Sequence, residues 1–146
     1  MTIKVYTDGA CSGNPGLGGW GVVILINDKE PVYLSGGSKQ TTNNQMELTA
    51  AIEALKFLPI NSKIIIFTDS KYVKEGIELW IINWKKNGWK TKSKKPVKNK
   101  DLWKKLDGLI NKHSIKWSWV KGHSGNEQNE KADELAREFI EKNVNW

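Results

Sequence analysis

Cysteine occurs once, as Cys11, and histidine only twice, as His113 and His123, in a chain of 146 residues. A single thiol excludes an intrachain disulfide, and one thiol with two imidazoles cannot furnish a Cys/His zinc cluster. The expected setting is reducing and cytoplasmic. No apolar run approaches the ~20 residues of a spanning helix, and residues 1–4 lead into a strand without a secretory pattern. No membrane association is expected. Acidic residues are also thinly spread: none lies between Trp80 and Lys100. The chain carries 23 Lys and Arg against 16 Asp and Glu, a formal +7. That balance favours a polyanionic partner, nucleic acid before an anionic membrane surface. The length suits one domain over residues 1–146, able to bury roughly 70% of its unfolded surface.

Against this basic background two acids stand in matching contexts. Ile3-Lys4-Val5-Tyr6-Thr7-Asp8-Gly9 is a short alternating strand that ends in a carboxylate and a glycine. Ile64-Ile65-Ile66-Phe67-Thr68-Asp69-Ser70 repeats the plan after a helix-forming segment. Strands joined through a helical crossover lie parallel with a right-handed connection. Asp8 and Asp69 are therefore expected side by side at one sheet edge, where α/β proteins bind ligands. Two such acids repel unless a positive group sits between them, and a divalent cation fits.

The rest of the chain supplies elements around that pair. Residues 9–19 read as a glycine-rich loop whose backbone can approach a ligand, though no Gly-Lys-Ser/Thr closes it as a phosphate loop. Residues 20–26 and 32–37 read as strands of an antiparallel meander. Thr41 to Asn44 offer N-caps for a helix with Leu48, Ala51, Ile52, Leu55 and Leu58 at helical spacing, stopped by Pro59. Glu47 borders its buried stripe, and reads equally as a helix-dipole glutamate or a third member of the acid group. A second helix is expected over about 71–80, for which Asp69-Ser70 stands in capping position. The acid-free stretch that follows interleaves eight lysines, Lys85 and Lys86 among them, with Trp80, Trp84 and Trp89. Its ammonium groups suit a phosphate backbone. Its indoles read either as packing anchors or as platforms for sugar and base. A helix over about 101–112, a strand over 115–120, a loop holding His123 and a final helix over about 126–142 complete the chain. Asp133 flanks the apolar stripe of that last helix, as a solvated acid or as a fourth carboxylate near the same edge.

Carboxylates without a Cys/His set suit Mg²⁺ or Mn²⁺. Two such ions about 3.5–4 Å apart can clamp the attacking and leaving oxygens of a displacement at phosphorus. Asp8, Glu47, Asp69 and Asp133 beside a basic arm therefore suggest a metal-dependent phosphodiesterase.

Five motifs make the expectation narrower: Tyr6-Thr7-Asp8-Gly9, Thr42 to Leu48, Thr68-Asp69-Ser70, Trp84 to Thr91, and Trp119 to Gly125. In order and spacing the chain resembles type 1 ribonuclease H of the bacterial kind. The resemblance implies an α/β ribonuclease H-like fold, a five-stranded mixed sheet in the order 3-2-1-4-5 flanked by helices. It implies a monomer that cuts the RNA strand of RNA–DNA hybrids, leaving 5′-phosphate and 3′-hydroxyl ends, with two Mg²⁺ or Mn²⁺ ions. By position, Asp8 would bridge both ions, Asp133 would complete the one that activates water, and Glu47 and Asp69 would hold the other. His123 would aid proton movement or product departure. Asn14, Asn43 and Asn44, with the backbone from Gly9 to Cys11, would sense the 2′-hydroxyl that only RNA carries. Thr42 and Asn99 would form a DNA phosphate pocket, and Trp84 would line the DNA channel. One departure is Gln40, where the family often has arginine; Lys39 is the nearby substitute. A non-catalytic hybrid-binding module on the same fold is the alternative, and a transposase or integrase relative a third reading. The four acids argue against the binder, which has no reason to concentrate carboxylates where phosphate must lie.

Overall fold

The computed structural model describes residues 2–121 and 126–146. Strands β1 (Ile3–Gly13), β2 (Gly16–Leu25) and β3 (Val32–Thr41) form an antiparallel meander. Strand β4 (Lys63–Thr68) joins β1 in parallel, and β5 (Ser114–Trp119) joins β4 in parallel. The five-stranded order is 3-2-1-4-5, the order the resemblance implied.

Helices cover both faces, for reasons visible in the chain. Helix α1 (Asn43–Phe57) starts where the Thr42 hydroxyl accepts the Gln45 N–H at 3.2 Å. It stops as Leu58 turns extended, the conformation preferred before a proline. Helix α2 (Lys71–Glu75) runs through a π-helical turn at Gly76–Trp80 into α3 (Ile81–Asn87). The helical stretch expected over about 71–80 is thus longer, because nothing stops it before Gly88 takes φ 77 and returns its N–H to the Trp84 carbonyl. Helices α4 (Lys100–Ile110) and α5 (Glu127–Lys142) follow, the latter capped by Asn126. The main core lies between one sheet face and α1 with α4, where Val5, Val22, Leu48, Leu55, Ile66 and Trp103 are fully buried. On the other face, α5 packs Ala132 and Leu135 on Tyr6, Val23 and Phe67.

The glycine-rich stretch 9–19 is not a loop. It is the end of β1, a tight turn, and the start of β2, with pairs from Gly9↔Trp20 to Gly13↔Gly16. Likewise β3 runs on to Thr41, past the expected end at residue 37. The glycines are there because helix backbones press on both sides of the hairpin. A Cβ at Gly9 would lie 2.6 Å from the Met46 carbonyl carbon of α1, and one at Gly21 would lie 2.8 Å from Leu135 Cβ of α5. Both values are below what real Cβ atoms tolerate.

Candidate active site

Strand lengths create the site. Strand β1 continues to Gly13, whereas its parallel neighbour β4 ends at Thr68. The paired register ends with Tyr6 opposite Phe67, and the same offset continued past the last pair brings Asp8 level with Asp69. Asp8 therefore lies within its strand and not at the strand's end, where the sequence pattern puts it, and Asp69 is the first residue past β4. Side chains alternate across a strand, so Asp8 shares the α5 face with Tyr6, and Gly9 faces α1. Without a side chain at Gly9, α1 comes close enough for Glu47 to reach Asp8 through the gap beyond Thr68. One oxygen from each of Asp8, Glu47 and Asp69 lies within 4.8 Å of the others.

The fourth acid arrives by another close approach. Gly21 pairs with Asp8 on the β1–β2 ladder, and the Ala132 carbonyl of α5 rests on the space above Gly21. Ala136 stands over Gly19 in the same way. Small residue on glycine brings the helix down at Ala132, and its neighbour Asp133 thereby lines the cleft of about 390 Å³ that Asp8, Glu47 and Asp69 also line. Asp133 accepts a 2.7 Å bond from Arg137 Nε, one turn on.

Electrostatics give the cluster its need for a cation. Burial, then the charges of Asp8 and Asp69, raise the Glu47 carboxyl well above the usual carboxylate range; a hydrogen bond with Asp8 acts in the same direction and the Gly9 N–H opposes it. Glu47 Oε2 is buried with no hydrogen-bond partner among the described residues. An orphaned acceptor beside two further carboxylates, with oxygen donors only, fits a hard divalent ion such as Mg²⁺ or Mn²⁺.

Other expected positions fall around this centre. Gly9, Asn43 and Asn44 line the same cleft, and the Asn14 side chain accepts the Asn43 N–H at 3.4 Å. Cys11 is half-buried, its thiol 3.3 Å from the Thr41 carbonyl, and burial pushes that thiol's pKa up. That is the opposite of what a nucleophile needs. Thr42 is the α1 cap. Asn99 sits at φ 60 and bridges Gln45 and the Tyr72 hydroxyl, at 3.1 and 3.0 Å. Ser70, not Asp69, caps α2, accepting from the Val73 N–H at 3.2 Å, which leaves the Asp69 carboxylate to the cluster. Trp80, Trp84 and Trp89 form a ring cluster with Tyr72 and Trp103 at centroid distances of 5.3–6.0 Å, the packing role, while each keeps part of its surface in solvent. Lys85 pairs with Asp107 at 3.4 Å and Lys86 is exposed. Lys39 lies 5.6 Å over the Trp146 ring. His123 lies outside the described residues. Ser70, read from the sequence only as a cap and motif residue, also lines the cleft, as do Lys71 and Tyr72, which do not stand out in the sequence; their signal is that they follow Asp69 directly, where the chain leaves the sheet edge.

The family model for RNase H matches residues 1–141. Ribonuclease H of Francisella philomiragia subsp. philomiragia is 61% identical over 140 residues, spanning 94% of this chain and 90% of that protein. Ribonuclease HI of Neisseria meningitidis serogroup B is 60% identical over 136 residues, 93% of each. Among solved structures, LC9-RNase H1, a type 1 RNase H with the type 2 active-site motif, superposes with a TM-score of 0.82 at 33% identity, over 94% of this chain and 71% of its own. LC11-RNase H1, solved in complex with an RNA/DNA hybrid, gives 0.74 at 26% identity, over 97% and 99%.

Proposed function

Since the chain belongs to the ribonuclease H family, we propose that its carboxylate cleft is where it hydrolyses the RNA strand of RNA–DNA hybrids, leaving 5′-phosphate and 3′-hydroxyl ends. The observation that carries this reading is the convergence of Asp8, Glu47 and Asp69 within 4.8 Å in a protein of net charge +7. A binding module would gain nothing from such a cluster. Asp8, Glu47, Asp69 and Asp133 would hold two Mg²⁺ or Mn²⁺ ions in the active complex. Bound there, such ions supply Lewis-acid stabilisation at phosphorus and an activated water.

The remaining work falls to the chain's own groups. Asn43 and Asn44, at the cleft wall, can donate to and accept from a 2′-hydroxyl, a group DNA lacks. Gly9 offers backbone on the same wall, the β1 backbone on to Cys11 is assigned to the same sensing role, and the Asn14 side chain holds the Asn43 N–H. Thr42 and Asn99 flank the start of α1 and are assigned to a phosphate of the DNA strand. Lys85, Lys86 and the other arm lysines attract the hybrid's backbone, with Trp80, Trp84 and Trp89 making a firm base for the arm and presenting their exposed edges to it. His123 is assigned to aiding proton movement or product departure. We read the enzyme as a cytoplasmic monomer; among the described residues no helix is long and apolar enough to cross a membrane.

The test is direct. The protein should cut the RNA strand of a hybrid when Mg²⁺ is present and not when it is chelated, and should leave duplex DNA and duplex RNA intact. Asp69→Asn should bind hybrid yet fail to cut; cutting by that variant at the parent's rate would refute the metal assignment.

A further inference from the structure

Asp69, Ser70 and Lys71 line two clefts, not one. Besides the carboxylate cleft they border a second of about 350 Å³, whose other walls are Thr68, Lys74, Trp119, Val120 and Lys121. Asp8, Glu47 and Asp133 take no part in it. The two hollows are neighbours across the Asp69 side chain.

Topology explains the second cleft. Strands β4 and β5 are parallel and end level, Thr68 opposite Trp119, so residues 69–71 and 119–121 leave the sheet side by side. The carboxyl ends of adjacent parallel strands are the usual ligand edge of such a sheet. Charge gives the ligand's chemistry. Lys71, Lys74 and Lys121 are all exposed, and among the described residues Asp69 is the single carboxylate in the lining. Neither Lys71 nor Lys74 makes an ion pair among the described residues, in contrast to Lys85, which has Asp107. Three ammonium groups around one hollow repel one another, and an anion between them turns that repulsion into attraction. Lysine, a point charge on a flexible stem, suits a phosphate oxygen without demanding one geometry. The wall adds an aromatic surface: Trp119 stacks on Trp117 with ring centroids 5.2 Å apart and planes 8° apart. A stacked, half-buried indole is held rigidly, and its face can pack against a sugar or base.

We propose that this cleft is a phosphate subsite for the RNA strand, next to the phosphate that is cut. Lys71, Lys74 and Lys121 hold one flanking phosphodiester, and Trp119 packs on the adjoining nucleotide. The inference rests on the hybrid-cleaving function above and adds a place where the strand is gripped on the β4–β5 side. That grip is separate from the lysine arm at 80–100 and from the asparagines of α1. Its role is to hold the strand in register, so that the scissile phosphate stays over Asp8 and Asp69.

The experiment uses a duplex in which a short run of ribonucleotides fixes the point of cutting. One flanking phosphate at a time is replaced by a neutral methylphosphonate. The parent should show a KM raised on the order of tenfold at one or two adjacent flanking positions, the size of a single charge-assisted hydrogen bond removed. The triple variant Lys71→Ala/Lys74→Ala/Lys121→Ala should have that raised KM on the unmodified duplex and be indifferent to neutralisation at those positions. It should stay as sensitive as the parent everywhere else. The triple arginine variant should restore the parent's pattern, and Lys29→Ala, on the far β2–β3 turn, should match the parent throughout. If the alanine variant binds as well as the parent, or loses affinity additively at every phosphate, the subsite does not exist. A parent that fails to cut any hybrid would instead overturn the function itself.

Discussion

Gly21 offers the sharpest test of how the site is assembled, because it is far from chemistry in kind and next to it in space. It pairs with Asp8 and lies under the Ala132 carbonyl, one residue from Asp133. A Cβ placed there would fall 2.8 Å from Leu135 Cβ and closer still to the Ala132 oxygen, against 3.4 Å for ordinary contact. Gly21→Ala therefore forces α5 off the sheet by 0.6 Å or more, and Asp133 with it. Overpacking of this kind costs about 1–3 kcal/mol, which lowers Tm by roughly 2–12 °C at this chain length. A displacement near 1 Å can cost about 10²-fold in rate, so cleavage measured at about 25 °C, well below melting, should fall roughly ten- to a hundredfold. The Mg²⁺ concentration needed for half-maximal rate should rise in step. Gly108→Ala is the control. Nothing lies within 4 Å of a Cβ there, and alanine in a helix gains up to about 1 kcal/mol over glycine, so that variant should melt higher and cut as the parent does. If Gly21→Ala melts lower but cuts at the parent's rate over the whole Mg²⁺ range, the seating of α5 on the hairpin is not what places Asp133.

Glu47 predicts a pH effect on the metal-free protein. Its raised pKa means the folded state keeps a proton that the unfolded chain loses near about 4.3, so stability falls as pH rises from there to the folded value and stays at the lower level above it. Thermal melts in chelator should show that decline, and Glu47→Gln should flatten it; equal slopes for the two proteins would refute the assignment. Neutralising Lys85, Lys86, Lys94 and Lys95 together should weaken hybrid binding and reduce its salt slope by about 0.7–0.9 for each phosphate no longer neutralised, whereas an unchanged slope would make the arm a merely solvated face. Asn129 is buried on α5 with neither side-chain polar atom hydrogen-bonded among the described residues. The similarly shaped Asn129→Leu should therefore raise stability by about 1–3 kcal/mol, seen as a higher melting temperature, and a lower one would show that the carboxamide has a partner.

The parts of the fold that can be read from the chain are those set by local chemistry. The echo of Asp8 and Asp69 behind matching apolar strands reports a parallel pair, and the register bears that pairing out. Thr42 and Pro59 mark the limits of α1 through a hydroxyl cap and a missing N–H, both properties of single residues. The glycine run at 9–19 reads as a loop because glycine is a poor strand former. What holds it extended is pairing along β2 and two helices pressing on it, neither of which is encoded nearby. The same limit applies past Trp80: the helix continues because tertiary packing of Trp80, Trp84 and Trp103 supports it, and a lysine-rich stretch gives little sign of that.

Asp133 shows most clearly why the site is only partly legible in the sequence. Helical periodicity puts it beside an apolar stripe and leaves two readings open, a solvated acid and a member of the cluster. What separates them is Ala132 and Ala136 seated over Gly21 and Gly19, a match between segments at opposite ends of the chain. Asp69 poses the same question within two residues, since either it or Ser70 could cap α2. The end of β4 at Thr68 answers it, because a strand one residue longer would have hidden Asp69 in the ladder and closed the gap through which Glu47 reaches Asp8. Length mismatch between two strands and absence of side chains on a third are thus what bring Asp8, Glu47 and Asp69 together and set Asp133 on the wall of the same cleft. Both are properties of the assembled sheet, so the acids can be nominated from their spacing while their meeting point requires the fold.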